Sequence, residues 1–255
     1  MNKDRDYKQR IFDISKSNKS YVILALDLEP QYQNLMYIDK LVTNLHPFLC
    51  AIKINFHLML PMSRKEIQNV NKVIHSYGLL SIADIKLNDI ENTNKVTVRC
   101  LQSMGFDSLI VNPIIGQKQL ASVVRFAHKF GMGVISLVYM SHKNVEEGYG
   151  LRTVQTKSKV EKKLPLYEVF LKYATRSNVD GIVVGATHLR TLKYISSISD
   201  IPIYSPGVGA QGGNAEMALK SGSSYLIIGR SILHAKNKYS KLSKLLKVKA
   251  VSRAW

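Results

Sequence analysis

Eight short apolar runs rich in β-branched residues recur along this chain, with longer stretches of helical periodicity between them. They fall at 21–28, 50–55, 79–86, 108–112, 133–140, 181–186, 202–208 and 224–230. Strands alternating with helices predict parallel βα repetition, because neighbouring parallel strands need a long crossover between them. The 255 residues hold no second composition zone and no linker, so a single domain over 1–255 is expected. Eight such units close more readily into a barrel than they spread into an open sheet. The expected fold class is therefore α/β, a (β/α)8 TIM barrel with an extra N-terminal helix. Residues 4–17 supply that helix, laid across the barrel bottom. Residues 141–165 are polar, basic and too long for a tight βα turn, and read as a mobile active-site loop.

A barrel of this kind carries its active site at the C-terminal ends of its strands. The polar residues of the apolar runs gather there: Asp27, Lys53, Asp84, Lys86, Ser141 just past the fifth run, and Arg230. Strand alternation puts Ile82, Asp84 and Lys86 on one face and Ala83 and Ile85 on the other. It likewise turns Ala51 and Lys53 inward and Ile52 and Ile54 outward. A carboxylate and ammonium groups facing into a barrel mouth are costly to desolvate unless they are paired. An ion-pair network plugging the mouth and a solvated loop with incidental charges are the bland readings. Alternating Asp and Lys around one pocket also suits chemistry that repels a departing anion and then supplies a proton.

Composition narrows the partners. The chain carries 36 basic and 18 acidic residues, a net charge of +18, which attracts polyanions. The basic residues are scattered, however, and the densest tract, residues 236–253, reads as a solvated terminal helix. Its Tyr239, Leu242, Leu245 and Leu246 recur at helical spacing. A nucleic-acid partner is therefore not expected. Nor is a membrane, since no apolar run approaches the roughly 20 residues that cross a bilayer. The polar start MNKDRDYKQRIF lacks a signal-peptide core. Cys50 and Cys100 read as buried free thiols, and the cytoplasm is the expected compartment.

The segment ADIKLNDIENTN (83–94) carries a resemblance. Its Asp84-x-Lys86-x-x-Asp89-Ile90, preceded by Lys53 in AIKIN, resembles the active-site signature of orotidine 5′-phosphate decarboxylases. SPGVGAQGG (205–213) resembles that family's phosphate-gripping loop, and IIGRSI (227–232) its second phosphate element. LALDL and the MSH at 140–142 fall in family order. The likeness covers roughly residues 20–235 and is closest to the short, archaeal-type members. D-x-K-x-x-D alone is shared with 3-keto-L-gulonate 6-phosphate decarboxylases and hexulose-phosphate synthases, which use Mg²⁺. Gln211 and the Ile90–Thr93 pattern separate the two. A basic barrel that binds nucleic acid without catalysis would give no reason for these residues to occur together.

The resemblance implies decarboxylation of orotidine 5′-monophosphate to UMP, the last step of de novo pyrimidine nucleotide synthesis, with no cofactor or metal. It implies that Asp84 faces the substrate carboxylate and that Lys86, charged beside Asp84 and Asp89, stabilises C6 and protonates it. Lys53 would keep Asp84 ionised and bond the ribose, and Asp27 would accept from a ribose hydroxyl. Ser141 would read the pyrimidine edge, and Gln211 would bridge pyrimidine and phosphate, with Pro206 beside it. Gly207, Gly209, Gly212 and Gly213 would form the phosphate loop, completed by Gly229 and Arg230. Asp89, Ile90 and Thr93 would reach the neighbouring site of a homodimer. Two departures stand out. Glu91 replaces the family's usual proline and is expected to loosen the Asp89 loop and add negative charge near the dimer seam. Asn112 stands where archaeal-type members often carry histidine.

Overall fold

The computed structural model describes residues 6–157 and 160–247. Eight parallel strands close into a barrel: β1 (Val22–Ala25), β2 (Ala51–Asn55), β3 (Leu80–Leu87), β4 (Ser108–Val111), β5 (Gly133–Tyr139), β8 (Gly181–Val184), β9 (Ile203–Pro206) and β10 (Tyr225–Ile228). They follow one another around the wall in chain order, and β10 returns to pair with β1. Seven of the eight apolar runs contain one of these strands whole, and β3 extends one residue past the run 79–86, to Leu87.

Alternation along each strand sorts side chains into two cores. Ile23, Ala51, Ile82, Ile110, Leu137 and Val183 fill the barrel interior. Leu24, Ile52, Ala83, Leu109, Val138 and Val184 face the surrounding helices. One residue of register thus decides which core a side chain enters.

The bottom of the barrel is closed by the helix Tyr7–Ser17, capped by Asp6, whose Oδ1 accepts from Gln9 N at 2.8 Å. Residues 4 and 5 of the expected helix lie outside the described residues. Tyr7 and Ile11 are buried in the interior cluster. Tyr7 can enter because β5 begins with Gly133, where any side chain would overlap its ring. Arg10 fixes the helix laterally, donating to Asp107 Oδ1 at 2.8 Å and to Gly131 O at 2.7 Å.

Two carboxylates below the strands work alike. Asp107, just before β4, accepts from Ser81 N of β3 at 2.9 Å and lies 2.8 Å from His75 Nε2. Asp180, just before β8, accepts from Val134 N of β5 at 2.8 Å and lies 2.8 Å from His128 Nε2. Each clips the starts of two adjacent strands to a helix end.

Two expectations need correction. Within 141–165, a turn at Val145–Glu147 is followed by an antiparallel hairpin of β6 (Arg152–Lys157) and β7 (Val160–Pro165). Thr153, Val154, Thr156 and Val160 favour local strand pairing, a preference hidden by the lysines among them. Cys50 is buried, but Cys100 is partly exposed on the helix Glu91–Ser103. The terminal helix is present over Lys238–Leu246 as expected: Leu242 is buried, and the largely exposed Tyr239 meets the Phe48 ring edge-on at 4.7 Å. Among the described residues, no helix is long and apolar enough to cross a membrane.

Tyr7→Ala should cost about 3–5 kcal/mol and lower Tm by roughly 10 °C, read by thermal denaturation. The His128 clip has a pH signature. Its hydrogen bond to Asp180 outweighs burial and raises the imidazole above its ordinary value of 6.5. A raised pKa favours the folded state fully below the unfolded value, and the gain is lost as pH rises through the folded value. His128→Gln should therefore flatten the stability–pH curve in the window that opens at 6.5, as measured by urea denaturation across pH.

Candidate active site

At the C-terminal mouth of the barrel lies a cavity of about 780 Å³. Asp27, Lys53, Asp84, Lys86, Ser141 and Pro206 line it, together with Gly207, Gln211, Gly229 and Arg230. Ten of the residues singled out in the sequence thus meet in one place.

Its floor is a line of charge across three strands. Asp84, buried in β3, takes an ammonium on each oxygen: Lys53 Nζ at 2.6 Å on Oδ2 and Lys86 Nζ at 2.8 Å on Oδ1. Lys53 also donates to Asn55 Oδ1, and Asn55 Nδ2 donates to Asp27 Oδ1. The order is Lys86, Asp84, Lys53, Asn55, Asp27. Burial pushes the Asp84 carboxyl up, but the charges and hydrogen bonds of Lys53 and Lys86 outweigh it and hold the group below its ordinary value. The two lysines differ in freedom: the Lys53 side chain is 7% exposed and that of Lys86 is 42% exposed. One is a fixture, the other has room to move.

Lys86 reaches the mouth by a route that simple alternation does not foresee. Its φ is +47°, and the register of β3 against β4 shifts between Ala83 and Leu87. A left-handed non-glycine residue in a bulged strand costs energy, of order 1–3 kcal/mol, and such residues cluster at functional sites.

The opposite wall is polar backbone. The β9 loop folds tightly, with Gly209 N donating to Gly213 O at 2.8 Å and Gly213 N to Gly207 O at 3.0 Å. Gly207, at φ +98°, sits so near Ser141 that a side chain there would meet the Ser141 Cβ at 2.9 Å. Gly229 leaves space for the Asp27 carboxylate. Thr187 Oγ1 donates to Ser141 O at 2.9 Å, which seats the Ser141 backbone. Gly209, Gly212 and Gly213 shape the loop but do not line the cavity.

Asp89, Ile90 and Thr93 are not brought to this chain's own cavity. All three are exposed. Asp89 turns its Oδ1 to Ile90 N at 2.7 Å, while Lys86 pairs with Asp84. Their loop is tied down, since Asn94 Nδ2 donates to Asp89 O at 2.6 Å. Glu91 stands where this loop enters the helix. It is the first residue of the helix Glu91–Ser103, where an acid suits the helix dipole, and it pairs with Lys95 at 2.5 Å. Asn112 caps the turn Pro113–Ile115 and takes no part in the cavity wall. Among the described residues, no cluster of three or more His, Cys, Asp or Glu side chains is placed to hold a metal ion.

Sequence reasoning missed Asn55, Lys143 and Ser231, all of which line the cavity. Asn55 was within reach of it: Ala51, Lys53 and Asn55 share the inward face of β2.

Residues 20–245 match the model of the orotidine 5′-phosphate decarboxylase / HUMPS family. The chain belongs to this family. It is 30% identical to the orotidine 5′-phosphate decarboxylase of Pyrococcus abyssi over 85% of this chain and 92% of that protein. The structure of the Methanocaldococcus jannaschii orotidine 5′-monophosphate decarboxylase, complexed with the inhibitor BMP, superposes with TM-score 0.75 and 26% identity. That match covers 91% of this chain and 99% of the other. The UMP synthase of Leishmania donovani shares the fold, at TM-score 0.81 and 19% identity, and this chain spans 55% of its length. In this decarboxylase-family chain, Asn55 joins the Lys53–Asp84 pair to Asp27. Asn55→Ala should lower kcat/KM for orotidine 5′-monophosphate by an amount equivalent to about 1–3 kcal/mol, measured by steady-state kinetics.

Proposed function

We propose that Asp84 and Lys86 carry out the decarboxylation of orotidine 5′-monophosphate to UMP in the mouth of this barrel, on substrate held by Gln211 and Arg230. The single observation behind this reading is the Asp84 carboxylate, buried and ionised between two ammonium groups beside an open cavity.

The C6–carboxylate bond breaks, its electron pair stays on C6, CO₂ departs, and Lys86 Nζ delivers the proton that gives UMP. The vinyl anion at C6 has no ring position to delocalise into, so the demand lies near the top of the roughly 8–23 kcal/mol that enzymes usually supply. Asp84 against the substrate carboxylate contributes repulsion of about 4 kcal/mol at 4 Å and an effective dielectric near 20. Repulsion alone is too small. Lys86 supplies attraction that grows as charge collects on C6, and its freedom to move lets it follow that charge. Lys53, fixed by burial, holds Asp84 ionised and faces the ribose with Asp27.

The remaining stabilisation comes from parts of the substrate that do not react. Arg230 offers a guanidinium to the phosphate, and the Gly207–Gly213 loop, folded on its own backbone hydrogen bonds, carries Gln211 to the same place. Gln211 bridges phosphate and pyrimidine, and Ser141 reads the pyrimidine edge. None of these residues calls for a cofactor.

The working form in this reading is a cytoplasmic homodimer. Asp89, Ile90 and Thr93 act on the partner's site, completing its charge around Lys86. Their exposure beside Val96, and their separation from this chain's own cavity, support that role.

Loss of orotidine 5′-monophosphate absorbance, followed with EDTA present, tests the activity. Wild-type protein should turn over, and Lys86→Ala should lose at least about 10³-fold in kcat. Absence of wild-type turnover would sink the proposal. Mixing Asp84→Ala and Asp89→Ala proteins tests the shared site. Each heterodimer holds one intact site, so a random equimolar mixture should recover about a quarter of wild-type activity.

A further inference from the structure

Two chain segments meet the phosphate in the reading above: the β9 loop, Gly207–Gly213, and the start of the short helix Arg230–Leu233 after β10. They are separated by 16 residues' worth of strand and helix in the chain order Asn214–Gly229. In space one side chain ties them. Ser231 Oγ donates to Val208 O at 3.1 Å and accepts from Ala210 N at 3.3 Å. Its hydroxyl therefore takes the place of a missing backbone partner for the two loop residues that flank Gly209.

The fit around this hydroxyl is close. Gly209, at φ +76°, lies directly against Ser231, and a Cβ added there would overlap both Oγ and Cβ of the serine. Glycine is thus needed twice at this position, for its backbone angle and for the approach of the serine. Ser231 is half-buried and lines the cavity, whereas Gly209, Ala210, Gln211 and Gly212 are exposed. An exposed, glycine-rich loop has little packing to hold it, so a paired hydrogen bond at its centre has a large share in setting its position. Ser231 follows Arg230 directly. Whatever places the guanidinium on the phosphate therefore places the hydroxyl that holds the loop.

We infer that Ser231 is a positioning residue that latches the β9 loop to the Arg230 segment, so that both phosphate-binding elements close on the substrate as one unit. This deepens the proposed function and rests on the phosphate being bound here. Ser231 acts through the loop: with the latch in place, the loop's ordering cost is met before substrate arrives, and more of the phosphate's binding energy reaches the reaction. Without it the loop and Arg230 close independently, and Gln211 is placed less well.

The test compares two substrates, orotidine 5′-monophosphate and orotidine, which lacks the phosphate. The readout is the ratio of their kcat/KM values. Ser231→Ala should lower that ratio by about 10-fold, the loss expected from two hydrogen bonds of roughly 0.5–1.5 kcal/mol each. Gly209→Ala, which crowds the same contact from the loop side, should lower the ratio in the same direction. A Ser231→Ala ratio within about twofold of wild type would overturn the latch, as would equal losses on both substrates, since a general structural role moves them together. Wild-type turnover of orotidine 5′-monophosphate reports separately on the proposed function. If that is absent, the function reading fails; if it is present with an unchanged ratio, only the latch fails.

Discussion

The site is organised around one buried carboxylate. Asp84 is 8% exposed at the end of a barrel strand, a place where an unpaired charge would be untenable. Lys53 and Lys86 make it tenable, each from its own direction and at hydrogen-bonding distance. Removing either lysine would leave a partly compensated buried charge, a loss of the kind that costs about 3–5 kcal/mol. That requirement fixes the ends of β2 and β3 relative to each other, and through Asn55 it extends to Asp27 on the loop after β1. The geometry that makes the carboxylate stable also keeps it on the wall of the cavity.

The two lysines share a charge and divide the work. Lys53 is walled in, so its position is set by packing. Lys86 stands on a left-handed backbone in a bulge and keeps almost half its side chain in solvent. The proton donor of the proposed reaction has to approach the atom it serves, and a wholly buried lysine could not. The strain at Lys86 and its freedom thus have one origin, the extra residues in β3 that swing the chain end over the mouth.

Most of the fold was legible in the sequence, because barrel strands are buried on both faces and must be written in β-branched apolar residues. Every run marked a strand, although the bounds differ: 21–28 holds only Val22–Ala25, while β3 runs one residue past its run, to Leu87. Packing explains the excess of 21–28: Leu26 and Leu28 lie past β1 yet are buried in the core shared with the helices. The charged residues of the site were legible for the opposite reason, as exceptions within apolar runs. What stayed hidden had neither mark. The β6–β7 hairpin is polar and pairs only with itself, and Asn55, a neutral residue at a strand end, looked like an ordinary terminator. Ser231 was invisible because its role lies in a contact with a loop 20 residues earlier. The Lys86 bulge was masked by agreement, since two extra residues leave the period-2 pattern intact.

The clips beneath the barrel have a different reach. Asp107 with His75 and Arg10, and Asp180 with His128, fasten adjacent strands at the end farthest from the cavity. The His128 imidazole, raised by its bond to Asp180, ties this end to pH, while the Lys–Asp line lies at the opposite end, in the mouth. Durability and chemistry are therefore written on opposite poles of the molecule. A change of His128 can alter how long the protein lasts in a given medium while leaving the Lys–Asp line at the mouth as it was. That separation gives the barrel independent room to adapt at each end.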